Sequence, residues 1–146
     1  MLLADPAATE AFGRRLAAIV LPGDVITLSG PLGAGKTSIA RGLLAALGLE
    51  EEAPSPTFAI VQPYAPPEVR LPVLHVDLYR IEDRREIDEL GLDEARDDSV
   101  LLVEWPERAP GEWPDALALS LDVAPDGGRA LTVQVPAAWK ARWPLI

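Results

Sequence analysis

Cysteine and asparagine are absent from this 146-residue chain, methionine and histidine occur once each, and lysine only twice. Each shortage excludes something. Without cysteine there is no disulfide framework and no thiolate metal site. No apolar run approaches the ~20 residues that cross a bilayer, so no membrane association is expected. The opening segment "MLLADPAATE" has neither a basic stretch nor a long apolar core, so no secretory signal is expected and the expected location is cytoplasmic. Positive charge is scarce as well: 13 Lys and Arg face 23 Asp and Glu, a net charge of −10. Nucleic-acid binders cluster Lys and Arg to displace counterions from phosphates, and this balance disfavours tight direct binding of bare RNA or DNA. Arg80, Arg84 and Arg85 do cluster, but among Glu82, Asp83 and Glu86, as on a mixed solvated surface. The preference for Arg over Lys, 11 to 2, with no Asn or Cys, fits a heat-adapted source or a GC-rich genome equally well.

What is present is an ordinary globular composition, 49% apolar and 25% charged, in a length that buries one core, so residues 1–146 read as a single domain. Asp5-Pro6 has the form of an N-cap followed by proline at the first helical position, and Phe12, Leu16 and Ile19 continue an apolar helical stripe. "VITLSG" (25–30) is a short β-rich run. A helical pattern follows from Lys36 to Leu47, closed by Gly48 with an apolar residue after it. "TFAIVQPY" (57–64) reads as a strand closed by Pro63. "PVLHVDLYR" (72–80) and "SVLLVEW" (99–105) read as buried strands that each end in an acid, with a short helix at "REIDELGL" stopped by Gly91. Two period-2 runs, "ALALSLDV" and "RALTVQVP", flank "APDGG" as a hairpin. The tail "AAWKARWPLI" reads as a helical turn anchored by Trp139 and Trp143. Alternation early and a hairpin late predict an α/β fold: a mixed sheet flanked by helices, with a C-terminal antiparallel hairpin.

The chemistry begins at "GPLGAGKT", Gly30 to Thr37, which matches the phosphate-loop pattern G-x-x-x-x-G-K-T. Glycines let the backbone turn successive N–H groups inward, and the helix that starts near Lys36 adds the positive end of its dipole. Lys36 then reaches β- and γ-phosphate oxygens, and the Thr37 hydroxyl is a Mg²⁺ ligand, so ATP with Mg²⁺ is the expected ligand. Such a site also needs an acid at a neighbouring strand end. Asp77 and Glu104 both qualify, because a carboxylate placed after an apolar run costs several kcal/mol, of the order given for buried charge, unless a cation or donor compensates it. Either acid read by itself has a plainer alternative, a local cap or an arginine partner. His75 shares a strand face with Asp77 and reads as a satisfied structural histidine. Trp105, beside Glu104, reads as a core or lid aromatic.

"GPLGAGKTSIARGL", "SPTFAIVQPY", "HVDLYR", "ELGLDE" and "LLVEWPE", in this order and spacing, resemble the bacterial TsaE (YjeE-like) P-loop ATPase family of tRNA threonylcarbamoyladenosine biosynthesis, over roughly Asp5 to Arg129. The glycine loop alone is unspecific; the later motifs make the likeness specific. The resemblance implies that Leu32, Gly33, Ala34, Gly35, Lys36, Thr37 and Ser38 bind phosphate, and that Thr37 and Glu104 ligate Mg²⁺. It implies that Asp77 is a Walker-B-type acid needed for turnover, making Lys36, Asp77 and Glu104 the catalytic set. Ser55, Pro56 and Thr57 match a switch-like loop near the nucleotide, and Trp105 a tryptophan close to it. Pro6 and the turn Gly128-Arg129 match places that hold the adenosine end. Pro6 and Pro31 depart from the family's usual polar and acidic residues at those positions. The family further implies a weak Mg-dependent ATPase that acts on a complex of TsaD- and TsaB-like proteins and meets tRNA only indirectly; the isolated chain is expected to be a monomer, an expectation the resemblance does not supply.

Three rivals share the loop. A small metabolite or nucleotide kinase would need a second substrate pocket and an arginine-bearing lid, for which Arg80, Arg84 and Arg85 are candidates. A GTPase would need an N-K-x-D element, which a chain without Asn cannot contain. A binding module would hold nucleotide without turning it over.

Overall fold

The computed structural model describes residues 1–56 and 60–144. Its elements are β1 (Leu2–Leu3), α1 (Pro6–Leu16), β2 (Val25–Ser29), α2 (Lys36–Ala46), β3 (Val61–Tyr64), β4 (Val73–Asp77), α3 (Arg84–Glu89), α4 (Leu92–Ala95), β5 (Val100–Glu104), β6 (Leu117–Val123), β7 (Arg129–Gln134) and α5 (Ala137–Lys140), with a 3-10 turn at Pro106–Arg108. The strands form one sheet in the order β1-β7-β6-β2-β5-β4-β3. Its centre, β6-β2-β5-β4, is parallel, while β3, β7 and β1 are added antiparallel at the two flanks. This is the mixed sheet with flanking helices and C-terminal hairpin that the alternation pattern implies.

Local rules account for most boundaries. Asp5 caps α1 by accepting from the Ala8 N–H at 2.8 Å, with Pro6 at the first position. Helix α2 closes through paired bonds from Leu49 N–H to the Leu44 carbonyl and from Gly48 N–H to the Ala45 carbonyl, with Gly48 at φ +121°. Pro63 does not end its strand as the sequence reading had it; it lies inside β3, which is the sheet's outermost strand and has a free edge where a missing N–H costs no ladder bond. Residues 57–59 of that expected strand lie outside the described residues. Helix α1 ends at Leu16 rather than reaching Ile19, although Ile19 still packs on the core.

Strand alternation decides where the functional side chains point. In β5, Val100 and Leu102 join the core under α1 and α2, while Leu101 and Val103 join a second core on the opposite face with Ile87, Leu92 and Trp113. Glu104 continues the first set. In β4, Val73 faces the first core and Val76 the second, which puts His75 and Asp77 on the α2 side too. In the parallel register Asp77 pairs with Glu104, and Glu104 pairs with Leu28 two residues before the glycine loop. Three strand ends thus meet at one edge, on one face, beneath the start of α2.

Candidate functional site

The Gly30–Gly35 loop rises from β2 and turns sharply into α2. Gly35 occupies the N-cap of α2 at φ +105°, a left-handed conformation that L side chains resist, and offers no side chain to cap the helix. The first N–H groups of α2, which lack partners within the helix, therefore remain for an anion. A second tight spot is Gly30, where a Cβ would fall 2.5 Å from the Leu121 carbonyl oxygen.

A cleft of about 340 Å³ opens in front of this loop and is lined by Leu32 to Ser38, Ser55, Asp77, Tyr79, Glu104 and Trp105. A smaller one, about 170 Å³, lies between Asp5, Pro6 and Thr9 on one side and Gly127, Gly128 and Arg129 on the other. Gly33, Ala34, Gly35 and Ser38 line both, so the two clefts flank the phosphate loop. The expected site residues therefore converge: Leu32, Lys36, Thr37, Asp77, Glu104 and Trp105 in the larger cleft, Pro6 and Gly128 in the smaller. Ser55 joins the larger cleft, while Thr57 lies outside the described residues.

Lys36 is nearly buried, and its ammonium donates to the main-chain carbonyls of Gly30 and Pro31, the latter at 3.1 Å. It also sits 4.0 Å from the centre of the Trp105 ring, a cation–π contact. Burial pushes the Lys36 pKa below its ordinary value, against the opposing pull of Glu104, Glu107 and Asp77. Trp105 reaches this position through a left-handed backbone, φ +62°, uncommon for any side chain and more so before proline. Its ring packs on Tyr79 with centroids 4.8 Å apart. Strain of this kind, on the order of 1–3 kcal/mol, persists where a site holds it in place.

Glu104 is 3% exposed. The Thr37 hydroxyl donates to both of its oxygens, at 3.2 and 3.1 Å, and His75 Nε2 stands 2.6 Å from its Oε2. Asp77, equally buried, accepts the Tyr79 N–H at 2.9 Å through Oδ1. A hydroxyl and a carboxylate in mutual contact beside a phosphate cradle are hard oxygen donors suited to Mg²⁺, which takes few protein ligands and completes its shell with phosphate and water. Among the described residues no three His, Cys, Asp or Glu side chains come together to hold an ion unaided.

Two residues acquire contacts that the sequence reading did not give them. His75 is not a satisfied structural histidine: it touches Glu104, and its Nδ1 is buried without a partner among the described residues. The i, i+2 spacing to Asp77 was the available signal, but the register that brings β5 alongside was not visible. Arg129 clamps the loop: Nε donates to the Ala34 carbonyl at 2.9 Å and Nη2 to that of Gly33 at 3.1 Å, while Nη1 holds the Gly127 and Gly128 carbonyls. Arg84 and Arg85, candidates for a kinase lid, are otherwise engaged, Arg84 with Pro110 and Glu112 and Arg85 with Asp83.

A family model described as "Threonylcarbamoyl adenosine biosynthesis protein TsaE" matches residues 3–131. The chain belongs to the TsaE family. It is 40% identical over 130 residues to the tRNA threonylcarbamoyladenosine biosynthesis protein TsaE of Bacillus subtilis (strain 168), covering 88% of this chain and 80% of that protein. The TsaE of Streptomyces coelicolor is 43% identical over 114 residues, 77% of each chain, and that of Treponema pallidum 35% identical over 127, covering 86% of this chain and 92% of the relative. The crystal structure of Bacillus subtilis YdiB superposes with a TM-score of 0.80 at 31% identity, over 97% of this chain and 88% of that one. The match with the TsaE family spans the phosphate loop, both strand-end acids and the Arg129 clamp. No helix among the described residues is long and apolar enough to cross a membrane.

Proposed function

We propose that this TsaE-family chain binds and hydrolyses ATP with Mg²⁺, and through that cycle serves the tRNA threonylcarbamoyladenosine synthesis for which its relatives are named. One observation carries the reading: Lys36, Thr37, Asp77 and Glu104, scattered over the sequence, face a single cleft at the phosphate loop. Lys36 exchanges its loop carbonyls for β- and γ-phosphate oxygens, and the loop amides hold the same phosphates. Thr37 and Glu104 would hold the metal, which when bound would neutralise charge on the transferring phosphoryl group. Asp77, fixed by the Tyr79 N–H, orients the attacking water in line with the γ-phosphate. The smaller cleft between Pro6 and Gly128 takes the adenosine end. TsaD- and TsaB-like proteins are the partners proposed for the cycle, with tRNA reached through them and the isolated chain a monomer.

The test is phosphate release from labelled ATP by the purified chain, alone and with a TsaD- and TsaB-like complex. Phosphate appears on water, and Glu104→Ala lowers turnover about a hundredfold or more, the scale of losing a group that stabilises transition-state charge, while ATP binding survives. Phosphate transferred to a metabolite would instead establish a kinase. Unchanged turnover in Glu104→Ala would remove the metal assignment.

A further inference from the structure

We propose that His75 is a positioning residue for the metal site, its Nε2–H holding the Glu104 carboxylate in the orientation from which that carboxylate meets Thr37 and the ion. The inference rests on the reading of Glu104 as a Mg²⁺ ligand and extends it to a residue that touches neither phosphate nor metal.

His75 is wholly buried, and its Nε2 lies 2.6 Å from Glu104 Oε2. An ionised carboxylate only accepts hydrogen bonds, so the proton of this pair belongs on Nε2. Among the described residues the other ring nitrogen, Nδ1, is buried with no partner, so the contact with Glu104 is the one hydrogen bond that holds the ring. The geometry of β4 and β5 fixes the ring in place. Asp77 pairs with Glu104 across the strands and His75 stands two residues back on the same face, so the imidazole approaches the carboxylate from the sheet side.

The division of acceptors follows. Oε2 takes both the imidazole and the Thr37 hydroxyl, whereas Oε1 takes the Thr37 hydroxyl alone. One oxygen is anchored by the imidazole and the other is held only by a hydroxyl that would itself turn to the ion, the arrangement expected of a carboxylate whose outer partner sets its orientation. Removing the imidazole leaves a buried carboxylate held only by one hydroxyl that itself must turn to the ion. A metal then has to organise its own ligand on binding, and affinity falls by the 10- to 100-fold typical of lost outer partners.

Two measurements test this on the full chain. The first needs no variant: the chain has a single histidine, so ¹⁵N-histidine labelling yields one pair of ring-nitrogen signals. Nε2 protonated and Nδ1 bare is the expected result; a proton on Nδ1 with bare Nε2 overturns the proposal. The second compares calorimetric ATP affinity in EDTA with that in excess Mg²⁺, the ratio being the gain due to metal. His75→Leu is expected to shrink the ratio about tenfold or more, and His75→Gln, whose amide N–H reaches the place of Nε2–H, to restore most of it. An undiminished ratio in His75→Leu, or equal loss in both variants, overturns the proposal by showing that the ring only fills space. Should the wild-type chain and Glu104→Gln both show no gain from Mg²⁺, the metal reading falls with it. A gain in wild type that Glu104→Gln loses and His75→Leu keeps removes only the role of His75.

Discussion

Lys36 is held by the main-chain oxygens of the loop it serves and by the face of Trp105. A buried ammonium needs such acceptors, since burial of an unpaired charge costs more than any single contact returns. A triphosphate offers better ones, charged rather than neutral, so the proposed binding would be an exchange in which the ammonium leaves carbonyls for phosphate oxygens. The exchange has an optical consequence. The indole lies 4.0 Å from a charge that must shift, so adding ATP is expected to change tryptophan emission, and Trp105→Phe to remove that change while calorimetric binding remains measurable. Persistence of the signal in Trp105→Phe would trace it to one of the chain's other three tryptophans. At this scale the sequence was readable where a motif fixes the local geometry: Gly35, Lys36 and Thr37 line one cleft, as their spacing implies. It was mute about His75, whose meaning depends on a neighbouring strand rather than on its neighbours in the chain.

Between elements, α1 and α2 cross in tight backbone contact, which fixes how the helix after the glycine loop sits. A methyl on Gly13 would fall 2.1 Å from the Ile39 carbonyl oxygen, and one on Gly42 2.0 Å from that of Glu10, so each helix presses its backbone against the other at a glycine. Alanine is the better helix former by about 1 kcal/mol, but overpacking costs about 1–3 kcal/mol and the obstruction here is rigid backbone. Gly13→Ala and Gly42→Ala are therefore each expected to destabilise the fold by about 2 kcal/mol, read as a lower denaturant midpoint at unchanged slope. A raised midpoint would mean that propensity outweighs the crossing. A second tie runs from Arg96, after α4, to the Gly23 carbonyl at 2.9 Å and to the Asp115 carboxylate ahead of β6. The Arg96 hydrogen bond holds the Asp115 pKa below its ordinary 3.8. A lowered carboxyl pKa means that the folded chain binds the proton less tightly, so the stabilisation is complete above pH 3.8 and fades as pH falls through the folded value. Asp115 is half exposed and screened, so the stability gap between wild type and Asp115→Asn is expected to stay under about 1 kcal/mol at pH 7 and to close in strong acid. A gap that widened in acid would refute the pairing. Elements with local signals were legible, α1 from Asp5-Pro6 and α2 from its glycine ends. The two-residue β1 and the one-turn α4 were not: β1 exists by pairing with β7, and α4 begins at Gly91, which reads locally as the end of α3.

Taken whole, the molecule sets one buried lysine and two carboxylates around a glycine loop in an acidic body. The sheet order was not legible in the chain, because nothing local says that β6 lies beside β2 in parallel while its own hairpin partner runs antiparallel. Charge, by contrast, is a property that needs no fold. With 23 acidic and 13 basic side chains, the field around the chain repels a polyanion, and the basic groups of most consequence are committed elsewhere. Lys36 faces the cleft, Arg129 holds the phosphate loop, and Arg142 pairs with Asp24 at 2.5 Å while lying on the Trp139 ring. Nucleic-acid affinity grows with the number of phosphates neutralised, each of which releases counterions and steepens the dependence on salt. Under the proposed function a nucleoside triphosphate escapes this argument, because loop amides, one lysine and a metal would meet its charge locally, in a cleft too small for a folded RNA. The chain alone is therefore expected to show no saturable binding of labelled tRNA at about 0.15 M salt, where the screening length is near 8 Å, and to join tRNA only when a partner complex supplies the basic surface. Saturable binding by the isolated chain under those conditions, with a steep salt slope, would place a basic face on this molecule and make its contact with tRNA direct.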